Sequence, residues 1–141
     1  MFANVLLPID LNHPASWTKA LPMAVKLCGS EGTLHVLGIV HDLGSAMISS
    51  FLPADFEKRA LQQMKEQLDT FCDENVPEGT SVVVHVEHGH VPEHLLHAAK
   101  QVGADLIVMA SHPPDDLQTM LVGSNAEKVV RHASIPVMVV R

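Results

Sequence analysis

At 141 residues, 47% of them hydrophobic and 18% charged, the chain is long enough for one domain with its own apolar core and too apolar for a disordered or fibrous protein. Sixteen acidic against nine basic residues leave a formal charge of −7, which excludes the basic face that nucleic-acid binding needs and disfavours docking on anionic membranes. No apolar run approaches the ~20 residues of a membrane span, and Met1-Phe2-Ala3-Asn4-Val5 lacks the charged start and long apolar stretch of a signal peptide, so a cytoplasmic location is expected.

Asn4 to Ile9 is a short apolar run of the kind buried inside a parallel sheet, and Pro8, lacking a ladder donor, predicts that the strand leaves regular pairing near its end. Asp10-Leu11-Asn12-His13-Pro14 turns into a helix, with Pro14 suited to a first helical position and Trp17, Ala20, Leu21, Ala24 and Cys28 repeating along its inner face. Pro22 falls inside that pattern and conflicts with it. Gly29 to Gly32 ends the helix, and Thr33 to Val40 reads as a second buried strand. The small, polar, irregular stretch from His41 to Pro53 reads as a loop over one end of the sheet.

A long helix is predicted from Asp55 to about Glu74, with Leu61, Met64, Leu68, Phe71 and Cys72 inward. Ser81 to Glu87 alternates Val82, Val84 and Val86 against Val83, His85 and Glu87, which suits an edge strand. Pro92 opens a short helix with Leu95, Leu96, Ala99 and Val102 inward. Asp105 to Ala110 is a fourth strand, Ser124 to His132 a last helix and Ile135 to Val140 a fifth strand. Cys28 and Cys72 fall in separate helices with no C-x-x-C spacing and read as buried thiols in a reducing compartment. Strict alternation of strands and helices predicts an α/β fold: one three-layer domain around an open, mostly parallel sheet of five strands.

Ligands of such sheets bind beyond the C-terminal strand ends, where the strand order reverses. If the order is 3-2-1-4-5, the first and fourth strands flank that crevice. Asp10 ends the first strand, where its carboxylate can accept from an amine or hydroxyl of a nucleoside, or can equally serve as a cap or turn residue. Beyond the fourth strand, Ala110-Ser111-His112-Pro113 leads through a polar loop to Gly123-Ser124, which opens the last helix. Small residues before a helix N-terminus let an anion approach unpaired N–H groups. An ordinary, well-capped strand-to-helix connection accounts for the same residues, and Ser124-Asn125-Ala126-Glu127 also fits an S-x-x-E capping box.

From Ser111 to Glu127 there is no Lys or Arg, while Asp115, Asp116 and Glu127 are acidic. A polyphosphate held there needs Mg²⁺ or a similar cation, or must rely on backbone amides and the helix dipole. The chain has no G-x-x-x-x-G-K-[ST], no G-x-G-x-x-G after the first strand, no G-x-S-x-G and no H-E-x-x-H. No side chain is poised as a catalytic base, His112 being the one candidate near the loop. Five of ten histidines, His85, His88, His90, His94 and His97, lie close together and read as exposed side chains or, alternatively, as a surface metal site.

Along its whole length the sequence resembles the universal stress protein family. Val5-Leu6-Leu7-Pro8-Ile9-Asp10 is similar to the family's opening strand, and Gly103-Ala104-Asp105-Leu106-Ile107-Val108-Met109 to its fourth. Gly123-Ser124, Val130-Arg131-His132-Ala133 and Ile135-Pro136-Val137-Met138-Val139-Val140-Arg141 carry the most specific resemblance. Nucleotide-binding members carry G-x₂-G-x₉-G-[ST]. Here the spacing and Gly123-Ser124 are kept, whereas Ala110 and Pro113 replace the first two glycines, a pattern similar to the single-domain F and G branch.

The resemblance implies the 3-2-1-4-5 order and a stress-response protein that binds ATP or a related adenine nucleotide, for which the acidic loop residues would call for Mg²⁺. It implies a sensor or regulator rather than an enzyme, slow ATP hydrolysis being the most that is expected. Pro8, Asp10 and Ile39 would hold the adenine side, with Met109 beneath the base. Ala110, Ser111, His112, Gly123, Ser124 and Asn125 would hold ribose and phosphates. It also implies a homodimer through the last strand, Val137, Met138, Val139 and Val140, an apolar edge that otherwise invites uncontrolled pairing. A nucleotide-free protein acting through protein contacts, or a weak ATPase, is the alternative.

Overall fold

A computed structural model describes residues 2–40, 54–111 and 124–141. Its elements in chain order are β1 (Asn4–Pro8), a 3-10 turn (Pro14–Ser16), α1 (Ala20–Cys28), β2 (Thr33–Val40), α2 (Phe56–Asn75), β3 (Ser81–His88), α3 (Val91–Gln101), β4 (Leu106–Ala110), α4 (Ser124–His132) and β5 (Val137–Val140). The five strands form one parallel sheet in the order β3-β2-β1-β4-β5. The predicted loop at 41–53 lies outside the described residues.

Strand alternation sorts the apolar residues into two cores. Val5, Leu7, Leu34, Val36, Leu106 and Val108 face α1 and α2, where Ala24, Cys28, Leu68 and Phe71 meet them. Leu6, Leu37, Ile107 and Met109 face α3 and α4 and pack on Leu95, Ala98, Ala126 and Val129. Burial on both faces explains why β1, β2 and β4 read as continuous apolar runs, whereas β3 alternates because it stands at an edge. Both cysteines are buried, and burial pushes the Cys72 thiol up to about 11.

The expected continuous helix from Pro14 to Cys28 is corrected to a 3-10 turn followed by a separate α1. Pro22 is the reason. It is the third residue of α1, in the first turn, where an N–H has no intrahelical partner to lose. The helix therefore begins just early enough to place the proline harmlessly. At the other end Gly29, with φ 65°, stops α1 in a conformation that a side chain resists. The last strand is also shorter than expected, starting at Val137 instead of Ile135.

Candidate functional site

β1 and β4 are neighbours, and β2 lies on the other side of β1, so the connections leaving β1 and β4 diverge to opposite faces of the sheet. A cavity of about 780 Å³ opens there, beyond the C-terminal strand ends. That volume is within the range of sites that enclose small molecules. Pro8, Ile9 and Asp10 border it from the end of β1, Leu37, Ile39 and Val40 from β2, and Met109 and Ala110 from β4. Ser124, Asn125 and Ala126, the first residues of α4, close another side.

Of the residues expected at this site, Pro8, Asp10, Ile39, Met109, Ala110, Ser124 and Asn125 are thus brought to one cavity. Ser111 is not among its lining residues; its N–H donates to the Val140 carbonyl at 3.0 Å, which extends the β4–β5 ladder. His112, Pro113 and Gly123 lie outside the described residues.

Asp10 organises the turn that follows it. The Asn12 N–H donates to Oδ1 at 3.0 Å, an Asx turn, and the His13 ring donates through Nδ1 to Oδ2 at 2.8 Å. The Asp10 N–H donates to Ser16 Oγ, and that hydroxyl donates back to the Asp10 carbonyl, both at 3.0 Å. The turn-residue role weighed for Asp10 is therefore filled, yet its carboxylate is still 44% exposed and borders the cavity. His13, Ser16, Met64 on α2 and Val91 at the start of α3 line the cavity too and were not expected. His13 and Ser16 are within a turn whose closure depends on Asp10, a hydrogen-bond pattern that residue types alone do not spell out. Met64 was assigned to the core by its helical spacing, and only the tertiary placement of α2 turns it toward the strand ends.

The histidine cluster disperses. His85 Nε2 meets His35 Nδ1 at 2.9 Å, His94 donates through Nδ1 to Glu87 at 2.8 Å, and His88 stands 3.4 Å from Glu57. Among the described residues, no three His, Cys, Asp or Glu side chains converge as a metal site would require. No described helix is long and apolar enough to cross a membrane.

Comparison with known proteins agrees with this architecture. The sequence profile of the universal stress protein family matches residues 1–141. Universal stress protein G of Escherichia coli O157:H7 is 31% identical over 144 residues, covering all of both chains. The solved structure of universal stress protein UspA from Lactobacillus plantarum is similar with a TM-score of 0.67 at 23% identity, covering 99% of this chain and 97% of that one. A universal stress protein solved in complex with cAMP matches at TM-score 0.61 and 19% identity, over 99% of this chain and 97% of that one. One from Archaeoglobus fulgidus in complex with dAMP matches at 0.62 and 16%, over 99% and 98%.

Proposed function

The chain belongs to the universal stress protein family, and from that premise we propose that it binds an adenine nucleotide, ATP or a close relative, in the cavity between Asp10, Ile39, Met109 and Ser124. It acts as a small cytoplasmic stress-response sensor or regulator, not as an enzyme with a built catalytic centre. The observation that carries this reading is the position of the cavity at the reversal of strand order, with the start of α4 on its wall. Apolar Ile39 and Met109 offer surfaces for a base, and the N–H groups of the first turn of α4, which have no intrahelical acceptor, suit a phosphate. Solved relatives hold cAMP and dAMP, which have the adenine and a phosphate in common.

Mg²⁺ accompanies the nucleotide in this reading, since no Lys or Arg lines the cavity among the described residues. The protein works as a homodimer joined through β5. The carbonyls of Pro136, just before β5, and of Val140 accept from Ile107 on β4 and from Ser111 just beyond it, so the main-chain groups of the even-numbered residues face β4. The main-chain groups of Val137 and Val139 accordingly point to the open edge, available to a twofold partner. Pro113, where nucleotide-binding members have glycine, favours the second reading, a nucleotide-free protein acting through protein contacts.

Amide NMR shifts on titration with Mg·ATP test the site. Shifts centred on Asp10, Ile39, Ala110 and Ser124 are expected. Absence of binding, with no nucleotide found by mass spectrometry in freshly purified protein, would favour the second reading, and shifts centred elsewhere would refute the site.

A further inference from the structure

Gly38 is the one residue of β2 without a side chain, and the space it leaves is filled from α2. A Cβ at this position would stand 2.7 Å from Met64 Sδ, 3.2 Å from Met64 Cγ and 2.5 Å from Leu68 Cδ1. Strand alternation puts Gly38 on the face of Leu34 and Val36, which α2 covers, so its bare backbone is a notch that receives one turn of that helix. The two side chains in the notch differ in freedom. Leu68 is fully buried, whereas Met64 is half-buried, packs against the core and also borders the cavity.

Register brings the notch level with the end of β1. Leu7 pairs with Val36 and Pro8 with Leu37, and the Ile9 N–H donates to the Leu37 carbonyl at 2.9 Å. Ile9 therefore stands abreast of Gly38, with Asp10 one residue beyond. Ile9 belongs to the core against which Met64 packs, and both border the cavity. Ile39 follows Gly38 directly and points to the opposite face of the sheet, where α3 and α4 lie. A base resting on Ile39 thus meets Met64 across the end of β2, at its edge and not at its face. An unbranched, polarisable thioether suits contact with the edge of an aromatic ring.

We propose that Met64, seated in the Gly38 notch, sets how large a base the cavity accepts. This rests on the nucleotide reading above and deepens it, by making α2, and not the strand ends alone, the source of selectivity for adenine over enlarged bases. The notch is what keeps the thioether out of the ligand's space. A methyl at position 38 must displace something, and fully buried Leu68 has nowhere to go, so Met64 is driven toward the open cavity.

Calorimetric titration, in Mg²⁺, of ATP, ATP benzylated on the exocyclic amine and 2-methylthio-ATP tests it. The proteins are the wild type, Met64→Ala, Met64→Leu, Gly38→Ala and the double variant Gly38→Ala/Met64→Ala. The wild type should bind at least one enlarged nucleotide about tenfold or more weakly than ATP, the scale on which a pocket rejects an added group. Met64→Ala should recover that analogue relative to ATP, and Met64→Leu, of similar volume, should keep the wild-type ranking. Gly38→Ala should weaken ATP about tenfold with Met64 present and little without it, the coupling expected of groups in contact. Equal changes for ATP and both analogues in Met64→Ala, or a Gly38→Ala loss that persists in the double variant, would reduce Met64 to a packing residue and overturn the proposal. A wild type that binds all three ligands equally overturns it too, while leaving the nucleotide reading intact. A wild type that binds none of them brings down the nucleotide reading and this proposal with it. Thermal melts establish which variants are folded, and should Gly38→Ala not fold, the Met64 variants decide alone.

Discussion

His35 and His85 share a hydrogen bond of 2.9 Å across β2 and β3, Nδ1 to Nε2, with ring centroids 5.2 Å apart and planes inclined by 26°. His35 Nε2 lies 3.0 Å from Asn4 Oδ1, an oxygen that can only accept. His35 is therefore the Nε2–H tautomer, its Nδ1 accepts, and His85 donates through Nε2, an assignment that follows from the partners. A proton added to His35 Nδ1 would face another donor. Burial foremost, and then His85, holds His35 below its ordinary value of 6.5, and burial does the same to His85 against the opposing pull of Glu87.

The consequence for stability has a definite sign. Both rings are neutral in the fold and take up protons more readily once unfolded, so their contribution is complete above the ordinary value of 6.5 and is lost as pH falls through the lower folded values. Melting temperatures measured from neutral pH downward should decline below pH 6.5 in the wild type. The double variant His35→Leu/His85→Val should show a flatter acid limb. Parallel curves for the two proteins would mean the pair is not responsible.

Asp105 ties the start of β1 to the start of β4. Its Oδ2 accepts from the Ala3 N–H and its Oδ1 from the Asn4 N–H, both at 2.9 Å, and its own N–H donates to the Asn4 carbonyl at 2.9 Å. Partial burial works against the charge, but the two N–H groups prevail and keep the carboxyl below its ordinary value of 3.8. Asp105→Ala should cost about 1–2 kcal/mol in a urea melt at neutral pH. The difference from wild type should shrink in acid, since the wild-type contribution is present above pH 3.8 and disappears below the folded value. A cost that does not change with pH would assign it to packing instead.

Gly32, between α1 and β2, has no room for a methyl. A Cβ there would run into the Phe2 carbonyl and lie 2.5 Å from that of Cys28. Both obstacles are main chain and cannot swing aside. Gly32→Ala should lower stability by about 1–3 kcal/mol, seen as a reduced denaturation midpoint with an unchanged m-value. A neutral outcome would show that the N-terminal segment shifts freely.

For the dimer proposed through β5, light scattering on Val139→Pro is decisive. Its N–H points to the open edge, so proline removes a donor from the partner's ladder and none from the β4 ladder. The variant should be a folded monomer where the wild type is a dimer. A wild type that stays monomeric at high concentration, or a variant that dimerises normally, contradicts the interface.

ATP affinity should drop several-fold when chelator replaces Mg²⁺. Asp10 borders the cavity, Asp115 and Asp116 precede α4 in the sequence, and neither the described lining nor the sequence from 111 to 127 supplies a Lys or Arg before Lys128. Screening at ordinary ionic strength softens this repulsion without abolishing it. Equal affinities in chelator and in Mg²⁺ would show that backbone amides suffice.

Much of the fold was legible because each element declared itself locally. Continuous apolar runs marked β1, β2 and β4, alternation marked β3, and Ser124 with Glu127 marked the start of α4. The candidate cavity was legible where it coincided with strand ends, at Asp10, Ile39, Met109 and Ala110. What escaped was set by register or by tertiary placement. His35 sits in an otherwise apolar run, and its partners, Asn4 and His85, reach it only because β1 and β3 flank β2. Pro22 looked like a flaw until the helix start was fixed. His13 gave no signal of its own, since its orientation depends on the Asp10 carboxylate.

Trp17 is the chain's single tryptophan, and tyrosine is absent. Its ring stands edge-on to Phe71 of α2, centroids 4.8 Å apart and planes at 70°, and its indole Nε1 is buried without an acceptor among the described residues. It directly follows the Pro14–Ser16 turn, from which Ala15 and Ser16 reach the cavity wall. Ultraviolet emission excited at the red edge therefore comes from one place in the molecule, an indole in apolar surroundings a residue away from the cavity. The protein carries its own optical reporter, and whatever displaces that turn will change its colour and brightness with no label attached.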